Sequence, residues 1–260
     1  MKNLPILLLL TLGLLVMSNT SLDKHRYQVK TVVIDAGHGG KDNGTSGNKS
    51  REKDVALKIA LKLGEIINEN IPDVKVIYTR KEDKFVELAD RALIANQNHA
   101  DVFISIHCNS TPHSHKVKGT ETYVMGLHTN EGNLDVAMRE NESLLMEDNY
   151  TQTYEGFDPN SPESYILFSL YQNAYSDNSL NLASKIEKQF KSRVGRHSRG
   201  VKQAGFVVLW RTSMPSVLVE TGFLSNQDEE KFLSDKLGQT YIASGIYRAF
   251  RDYKNEIESI

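Results

Sequence analysis

The sequence is short of three features: cysteine, an excess of charge of one sign, and an apolar run long enough to cross a membrane. Its 260 residues include one cysteine, Cys108, so neither an intramolecular disulfide nor a cysteine-rich metal knuckle can form. The 31 lysine and arginine residues nearly balance 33 aspartates and glutamates, for a formal net charge of -2. This balance excludes a protein that binds nucleic acid through bulk charge. With a single cysteine available, any catalytic or metal-binding chemistry is expected to come from histidines, carboxylates and hydroxyls.

An apolar run occupies residues 6–17, close to the first residue. A membrane-spanning helix needs about 20 apolar residues, so this run is short for one. A lysine precedes it, and the small residues Val16 and Ser18 lie at its end, at the positions that signal peptidases favour before a cut at Asn19. A buried N-terminal helix is the alternative. We expect a signal peptide at 1–18, a short linker at 19–30, no membrane span in the mature protein, and export, to the periplasm if the source is Gram-negative.

Short β-branched runs alternate with amphipathic helical patterns from residue 31 onward. The predicted strands are 31–35, 74–79, 101–107, 120–125, 206–210 and 216–220, and the predicted helices are 52–70, 87–98, 180–194 and 228 to the C-terminus. This alternation is typical of an α/β protein. We expect a single domain at 31–257, built on a mostly parallel twisted sheet of about six strands with helices on both faces.

One segment, 128–178, does not fit this alternation. It places about fifty residues between a predicted strand and the helix that should follow it. Residues 133–147 have helix-forming composition, whereas 150–164 are polar and contain two prolines. A connection of this length inside a compact domain is usually functional or mobile. We therefore treat 128–178 as an insertion.

Three apolar strands are followed by residues with chemically useful side chains. His38 follows the first strand, His107 ends the third, and Glu220 ends the last. Ligands bind outside the carboxyl ends of the strands in open parallel sheets, so these side chains are expected to converge if the strands are neighbours. Glu52 joins them because it opens the helix after the first strand. Two imidazoles and two carboxylates at one edge suggest a catalytic zinc with a base, since His, His and Glu form one known zinc ligand set.

Each residue also has a plainer interpretation. A histidine after a strand is often a turn or capping residue, and Glu52 could simply complement the dipole of its helix. The glycines around His38 could form a phosphate-binding turn, although the Gly-x-Gly-x-x-Gly spacing fails at Asp42. Glu220 is harder to explain away, because a carboxylate directly after a buried apolar run must be paired, metal-bound or functional. Spacing alone leaves the zinc interpretation open.

Four motifs in order resemble the zinc-dependent N-acetylmuramoyl-L-alanine amidases, which cleave peptidoglycan. They are VIDAGHGG at 33–40, EKD at 52–54, SIHCN at 105–109 and VLVETGFLSN at 217–226. The resemblance extends over roughly 31–253. It departs from the family at Cys108, where a small apolar residue is usual. We interpret Cys108 as a core residue, because neighbouring side chains of a strand point to opposite faces and His107 would face the site.

The resemblance implies a role for each of the four residues. His38, Glu52 and His107 would bind one Zn²⁺ per chain, and Glu220 would be the catalytic carboxylate. The substrate would be peptidoglycan, cleaved between N-acetylmuramic acid and L-alanine. Two alternatives remain open: a catalytically silent peptidoglycan-binding module, and a zinc peptidase that acts on free wall peptides.

Weaker expectations concern the surroundings of this site. Asn109 and Arg211 are candidates for substrate binding at the same edge of the sheet. In some relatives the insertion lies over the zinc and contributes a carboxylate, until an activator protein displaces it. For the 128–178 insertion we select Glu142 as this possible autoinhibitory carboxylate, because it lies in mid-helix among apolar residues. An ordinary surface helix on a substrate-binding loop is the alternative.

Overall fold

The computed structural model describes residues 27–112, 114–128, 130–169 and 174–259. The predicted signal peptide at 1–18 lies outside these residues. The end of the predicted linker is packed against the domain. Val29 is fully buried, and its backbone N–H donates a hydrogen bond of 2.8 Å to Glu258 Oε1.

A single six-stranded sheet forms the centre of the described chain, in the order β2-β1-β3-β6-β4-β5. The strands are β1 (Thr31–Ala36), β2 (Lys75–Tyr78), β3 (Val102–Asn109), β4 (Thr120–Met125), β5 (Ser198–Ala204) and β6 (Ser216–Phe223). All neighbours are parallel except β4 and β6, which run antiparallel. The prediction of a mostly parallel sheet of about six strands is confirmed.

Helices cover both faces of the sheet, as expected. They are α1 (Glu52–Asn70), α2 (Leu88–Gln97), α3 (Glu131–Asn141), α4 (Tyr150–Thr153), α5 (Pro162–Ser169), α6 (Ser176–Gln189), α7 (Val207–Trp210), α8 (Gln227–Ser234) and α9 (Lys236–Ser259). Alternate residues of β1 enter different cores, because successive side chains of a strand point to opposite faces. In the first core, Val32 and Ile34 pack with α1, α6 and α9. In the second core, on the other face of the sheet, Val33 packs with residues of α2, α3 and α7. No helix in the described ranges is both long enough and apolar enough to cross a membrane.

One predicted strand is wrong. The short helix α7 begins at Val207, within the predicted strand 206–210, and this run is apolar because Val207, Val208 and Leu209 are buried in the second core. The sheet takes its remaining strand from β5 instead. Most residues of β5 are only partly buried, so its sequence shows no continuous apolar run.

The antiparallel pairing of β4 with β6 determines what meets at the edge of the sheet. Glu121, near the start of β4, is paired with Glu220, near the end of β6. Because β5 is parallel to β4, its first residues reach the same edge, and Ser198 is paired with Thr120. This edge therefore combines the carboxyl ends of the parallel strands with the amino ends of β4 and β5.

The insertion contains helical turns rather than one continuous helix. The predicted helix at 133–147 is α3 followed by a 3₁₀ turn at Glu142–Met146. Asn130 caps α3, since its side chain accepts a hydrogen bond of 2.9 Å from the Asn133 N–H. One side of α3, including Val136 and Ala137, packs into the second core, which holds the helix across the edge of the sheet.

Candidate metal centre

Four buried side chains converge at this edge: His38, Glu52, His107 and Glu140. Their donor atoms all lie within 4.8 Å of one another. Glu52 Oε1 is 3.1 Å from His38 Nε2 and 3.0 Å from His107 Nδ1. Glu140 Oε2 is 3.0 Å and 2.8 Å from the same two nitrogens. Two imidazole nitrogens and two carboxylate oxygens therefore surround one point.

His38 reaches this point because the loop after β1 has an unusual conformation. Its φ is 58°, in the left-handed region that few residues other than glycine adopt. Two buried arginines hold the loop by its carbonyl groups. Arg91 Nη2 donates a hydrogen bond of 2.9 Å to the His38 carbonyl, and Arg80 Nη2 donates one of 2.7 Å to the Gly37 carbonyl. These bonds satisfy polar groups that would otherwise be costly to bury.

Gly37 is required by the close approach of the His107 ring. A Cβ atom at this position would lie 2.4 Å from His107 Nε2, well inside van der Waals contact. The loop backbone therefore passes directly against the imidazole. No residue with a side chain fits there unless the ring moves.

Glu52 is held by backbone N–H groups at the first turn of α1. Its Oε2 accepts a hydrogen bond of 2.8 Å from the Thr45 N–H, and its Oε1 accepts one of 2.8 Å from the Cys108 N–H. The side chain is fully buried. Hydrogen bonds from backbone N–H groups favour the ionised form, which is the form that binds metal.

His38 also has the hydrogen bond that fixes a metal-binding imidazole. Its Nδ1 lies 2.7 Å from Asp42 Oδ2, and donation from Nδ1–H leaves the Nε2 lone pair directed at the cluster. Burial acts against protonation of His38, but the charge of Glu52 and the bond to Asp42 outweigh it and raise its pKa well above the usual value. Burial likewise opposes protonation of His107, and the charge of Glu140 raises its pKa to about 9. The negative charge of Glu52 and Glu140, which raises both pKa values, also favours a cation at the point between the four donors.

The donor set fits zinc. A tetrahedral zinc has nitrogen and oxygen ligands at about 2.0–2.2 Å, which places the ligands about 3.4 Å from one another. Two of the cluster's buried atoms, His38 Nε2 and Glu140 Oε2, have no hydrogen-bond partner of good geometry among the described residues. Buried polar atoms without partners are rare in proteins and require an explanation. A bound cation would satisfy both of them.

Glu220 lies beside this cluster on the neighbouring strand, where it is paired with His107. It is fully buried, and neither carboxylate oxygen has a hydrogen-bond partner among the described residues. Its nearest ion-pair partner in that set is Arg139 of α3, whose Nη2 is 3.9 Å from Glu220 Oε1. Burial raises the pKa of Glu220 well above its usual range, and the charges of Glu140 and Glu52 raise it further. The site thus contains a carboxylate that can accept a proton and is not one of the four clustered residues.

Comparison with known proteins agrees with this chemistry. The family model described as N-acetylmuramoyl-L-alanine amidase matches residues 32–252. The chain belongs to this family. It is 35% identical over 232 residues to the N-acetylmuramoyl-L-alanine amidase AmiA of Escherichia coli, covering 87% of this chain and 78% of AmiA.

Solved structures of family members have the same fold. An N-acetylmuramoyl-L-alanine amidase from Clostridium difficile 630 superimposes with a TM-score of 0.66 at 29% identity, covering 88% of this chain and 98% of the other. The CwlD amidase from Clostridioides difficile, solved in complex with the GerS lipoprotein, superimposes with a TM-score of 0.63 at 26% identity and covers 87% and 99%. The four motifs identified in the sequence lie within the region that the family model matches.

The amidase-family motifs do not include the fourth member of the cluster, the carboxylate of Glu140. The expectation that Glu142 approaches the metal position is wrong, because Glu142 begins the 3₁₀ turn and its side chain is exposed. Glu140 occupies that place. The sequence does contain a signal for it: Val136, Glu140 and Leu144 lie at spacing four, the spacing of one helix face, and all three are buried.

Asn109 and Arg211, the two candidates for substrate binding, lie in different places. Asn109 is buried near the cluster, where its Nδ2 donates a hydrogen bond of 3.0 Å to Glu121 and its Oδ1 accepts one of 3.0 Å from Arg139. The expected position of Arg211 is wrong. It follows α7 and precedes the first residue of β6, and its carbonyl accepts a hydrogen bond from Asn96 at the end of α2. Arg211 therefore lies at the opposite edge of the sheet from Glu220.

Cys108 is a core residue, as expected. It is fully buried in the core that contains α1 and α9, and burial raises the pKa of its thiol well above the usual value. A protonated thiol is a poor metal ligand. Its Sγ lies 3.3 Å from Thr221 Oγ1, and Cys108 is not one of the four clustered residues.

Proposed function

We propose that this chain is an exported zinc amidase that hydrolyses the amide bond between the lactyl group of N-acetylmuramic acid and L-alanine in peptidoglycan. One observation carries the proposal. Glu220, a buried carboxylate without a hydrogen-bond partner among the described residues, lies on the strand next to His107, in a site that also holds His38 and Glu52. Family membership and the AmiA relative support the choice of substrate.

His38, Glu52 and His107 would hold the zinc. They come from three fixed parts of the domain: the loop after β1, the first turn of α1 and strand β3. When bound, zinc polarises a substrate carbonyl and makes water easier to deprotonate. Asp42 orients His38 through the hydrogen bond at its Nδ1.

Glu220 would transfer the protons of the reaction. It accepts a proton from the attacking water and delivers one to the leaving amine nitrogen of L-alanine, acting as base and then as acid. Its buried position raises the pKa, which makes its ionised form a stronger proton acceptor. Glu220→Gln keeps the shape of the side chain and removes this acceptor.

Product analysis tests the reaction. Mass spectrometry of peptidoglycan digested by the purified protein should show new L-alanine amino termini and lactyl carboxylates, and a chelator should abolish them. Glu220→Gln should retain its zinc and lose about 10²-fold or more in rate, the scale of general-base catalysis. Binding without cleavage would favour a silent wall-binding module, and cleavage only of free wall peptides would favour a zinc peptidase.

The insertion would inhibit the enzyme. Glu140 of α3 would be a fourth ligand of the zinc and would take the place that an attacking water needs in a catalytic zinc site. Burial acts against ionisation of Glu140, but the charge on His107 outweighs it and holds the pKa of Glu140 well below the usual range. The neighbouring Arg139 links α3 to the end of β3, because it donates hydrogen bonds of 2.9 Å to the Ser110 carbonyl and 3.0 Å to Asn109 Oδ1.

An activator protein would then displace the 128–178 insertion. The CwlD amidase was solved with a second protein, the GerS lipoprotein, which supports the idea that family members work with partners. Deleting residues 131–160 discriminates between the two interpretations of the insertion. Higher activity on isolated peptidoglycan, with unchanged zinc content, supports inhibition, whereas lower activity supports a substrate-binding loop.

Export would depend on the segment at 1–18, with the catalytic domain at 31–257. The apolar run at 6–17 and the small residues before position 19 support this assignment. N-terminal sequencing of the secreted protein should begin near Asn19. A secreted form that begins at Met1 would contradict it.

A further inference from the structure

A cleft of 610 Å³ lies beside the candidate metal centre, between α3 and the strands. Asn109, Glu121, Arg199 and Lys202 line its strand side. Its helix side belongs to the α3 region and carries Asp135, Arg139 and Glu142. None of these strand-side residues takes part in the reaction described above.

Arg199, near the start of β5, is held in one orientation. Its Nε donates a hydrogen bond of 2.5 Å to Glu121 Oε1, and its guanidinium lies 5.4 Å from the centre of the Phe223 ring. Within the described ranges, no hydrogen bond to the two terminal nitrogens is found. An arginine fixed at Nε and stacked on a ring presents a rigid pair of donors that matches the two oxygens of a carboxylate.

The charges on the strand side do not cancel. Glu121 Oε1 accepts hydrogen bonds from both Arg199 and Lys202, the latter at 2.6 Å from Nζ. Glu121 Oε2 is occupied by Asn109 Nδ2 at 3.0 Å and the Tyr123 hydroxyl at 2.8 Å. Two cations thus share one carboxylate whose acceptor sites are filled. The strand side of the cleft has one positive charge in excess.

The charges on the helix side neutralise this excess positive charge while α3 is in place. Asp135 and Glu142 add two negative charges against the single positive charge of Arg139, which brings the whole lining to neutrality. Withdrawal of α3 together with the 3₁₀ turn that follows it would remove all three residues and leave the positive strand side exposed. The same movement would remove Glu140 from the metal position.

The distance to the reacting bond suits a nearby part of the substrate. Glu121 is paired with Glu220 on the adjacent strand, and β5 lies one strand farther. Neighbouring strands are about 4.8 Å apart, so the Arg199 backbone lies about 10 Å from that of Glu220. An extended peptide covers about 3.3–3.6 Å per residue, so a group one or two residues beyond the cleaved amide can reach the Arg199 side chain.

We propose that Arg199 and Lys202 form an anion subsite that binds a free carboxylate of the stem peptide next to L-alanine, and that this subsite becomes available when α3 withdraws. The proposal rests on the amidase function proposed above. Glutamate linked through its side-chain carboxyl, which follows L-alanine in the stem peptide, carries such a carboxylate. Replacing that carboxylate by a carboxamide would remove its charge while keeping its shape.

A binding experiment tests the subsite without requiring catalysis. The full chain carrying Glu140→Gln is titrated by calorimetry with L-alanyl-γ-D-glutamate and with the corresponding carboxamide dipeptide. We expect the acid to bind about 10- to 100-fold more tightly, the scale of a charge-assisted bidentate contact. Arg199→Ala should remove this preference, and Arg199→Lys should retain part of it, since it keeps the charge toward Glu121 but loses the paired donors.

Arg251→Ala is the matched control. Arg251 is also an arginine that pairs with a carboxylate, Asp252, and lies over a ring, that of Tyr247, but it is on α9. Its replacement should leave the preference unchanged. Thermal unfolding and zinc content establish that each variant is folded.

Three outcomes would overturn the subsite: equal binding of acid and carboxamide, no binding of either dipeptide at millimolar concentration, or an equal loss for both ligands in Arg199→Ala. The same parent protein is assayed on muropeptides with a free or an amidated carboxylate. Acid-selective binding without cleavage of either muropeptide would refute the amidase function and leave the subsite intact. Cleavage of both at equal efficiency would refute the subsite and leave the amidase function intact.

Discussion

Replacing Glu140 by glutamine should activate the free enzyme. Glu140 is 4% exposed, and its Oε2 lies within 3.0 Å of both His38 Nε2 and His107 Nδ1. Glutamine keeps the size of the side chain but removes the negative charge that makes it a good zinc ligand. The helix would then be held by its remaining contacts, among them the hydrogen bonds of Arg139 to Ser110 and Asn109.

The size of the effect follows from the burial of these groups. Losing one partner of a buried charged contact costs about 3–5 kcal/mol, and each 1.4 kcal/mol corresponds to a factor of about ten. The population in which α3 is withdrawn should therefore rise about 100- to 4,000-fold, up to the point where the helix is fully open. Activity should rise with that population, because the fourth zinc position becomes available to water.

Release of soluble fragments from labelled peptidoglycan measures the activity, and metal analysis of the same samples measures the zinc. Glu131→Gln is the matched control, since Glu131 is an exposed acid on the same helix. It should leave the rate within about twofold of the parent, as expected for an exposed surface substitution. Unchanged activity of Glu140→Gln at full zinc content would refute inhibition by Glu140, and lower activity would support a role of the helix in substrate binding.

Three further predictions concern the metal and the stability of the fold. His38→Ala and His107→Ala should each lose most of the bound zinc on metal analysis, and full zinc in both would contradict the ligand assignment. Asp35→Asn should lower the free energy of unfolding in urea by about 3–5 kcal/mol, because it leaves the buried Arg91 guanidinium without its carboxylate partner at 2.9 Å; a loss below 1 kcal/mol would count against this pair. Burial raises the pKa of Glu187 above its ordinary 4.5, because the folded protein favours the neutral carboxyl. This contribution to the free energy of unfolding is fully present below pH 4.5 and is lost as the pH rises through the raised pKa. Glu187→Gln should therefore lose less stability than the parent between pH 4 and 8 in thermal unfolding, and parallel curves would refute this.

The sequence predicts those parts of the site that depend on short-range order. His107 and Glu220 end apolar runs, so their placement at one edge of a parallel sheet follows once the strands are recognised. Glu52 opens a helix whose predicted bounds, 52–70, are those observed. These residues could be found because a strand or helix of this length leaves a clear pattern in the local sequence.

Other parts depend on contacts that the local sequence does not record. Whether Glu140 or Glu142 faces the metal is decided by the docking of α3, since residues two apart on a helix point about 200° from each other. The apolar neighbours that favoured Glu142 belong to a 3₁₀ turn, in which the helical periodicity no longer holds. The buried stripe that includes Val136 is the better guide, because it identifies the face that packs against the domain.

The sequence pattern does not predict the basic side of the cleft, and the reason is the topology of the sheet. Arg199 lies near the beginning of its strand, and a search at the carboxyl ends of parallel strands passes over it. Only the antiparallel pairing of β4 with β6 brings the beginnings of β4 and β5 to the reactive edge. Residues 198–204 also lack the apolar pattern of a central strand, since β5 is the last strand of the sheet.

The arginine bonds to the loop after β1 have a consequence for how metal enters the protein. Arg80 and Arg91 hold the carbonyl groups of Gly37 and His38 through bonds made within the protein itself. The conformational entropy of this loop is therefore lost when the chain folds rather than when an ion arrives. Little of the metal's binding free energy has to be spent on ordering its ligands, which is the advantage of a preorganised site. The apoprotein should accordingly be a stable receptor for metal, with affinity set by the donor atoms rather than by folding around the ion.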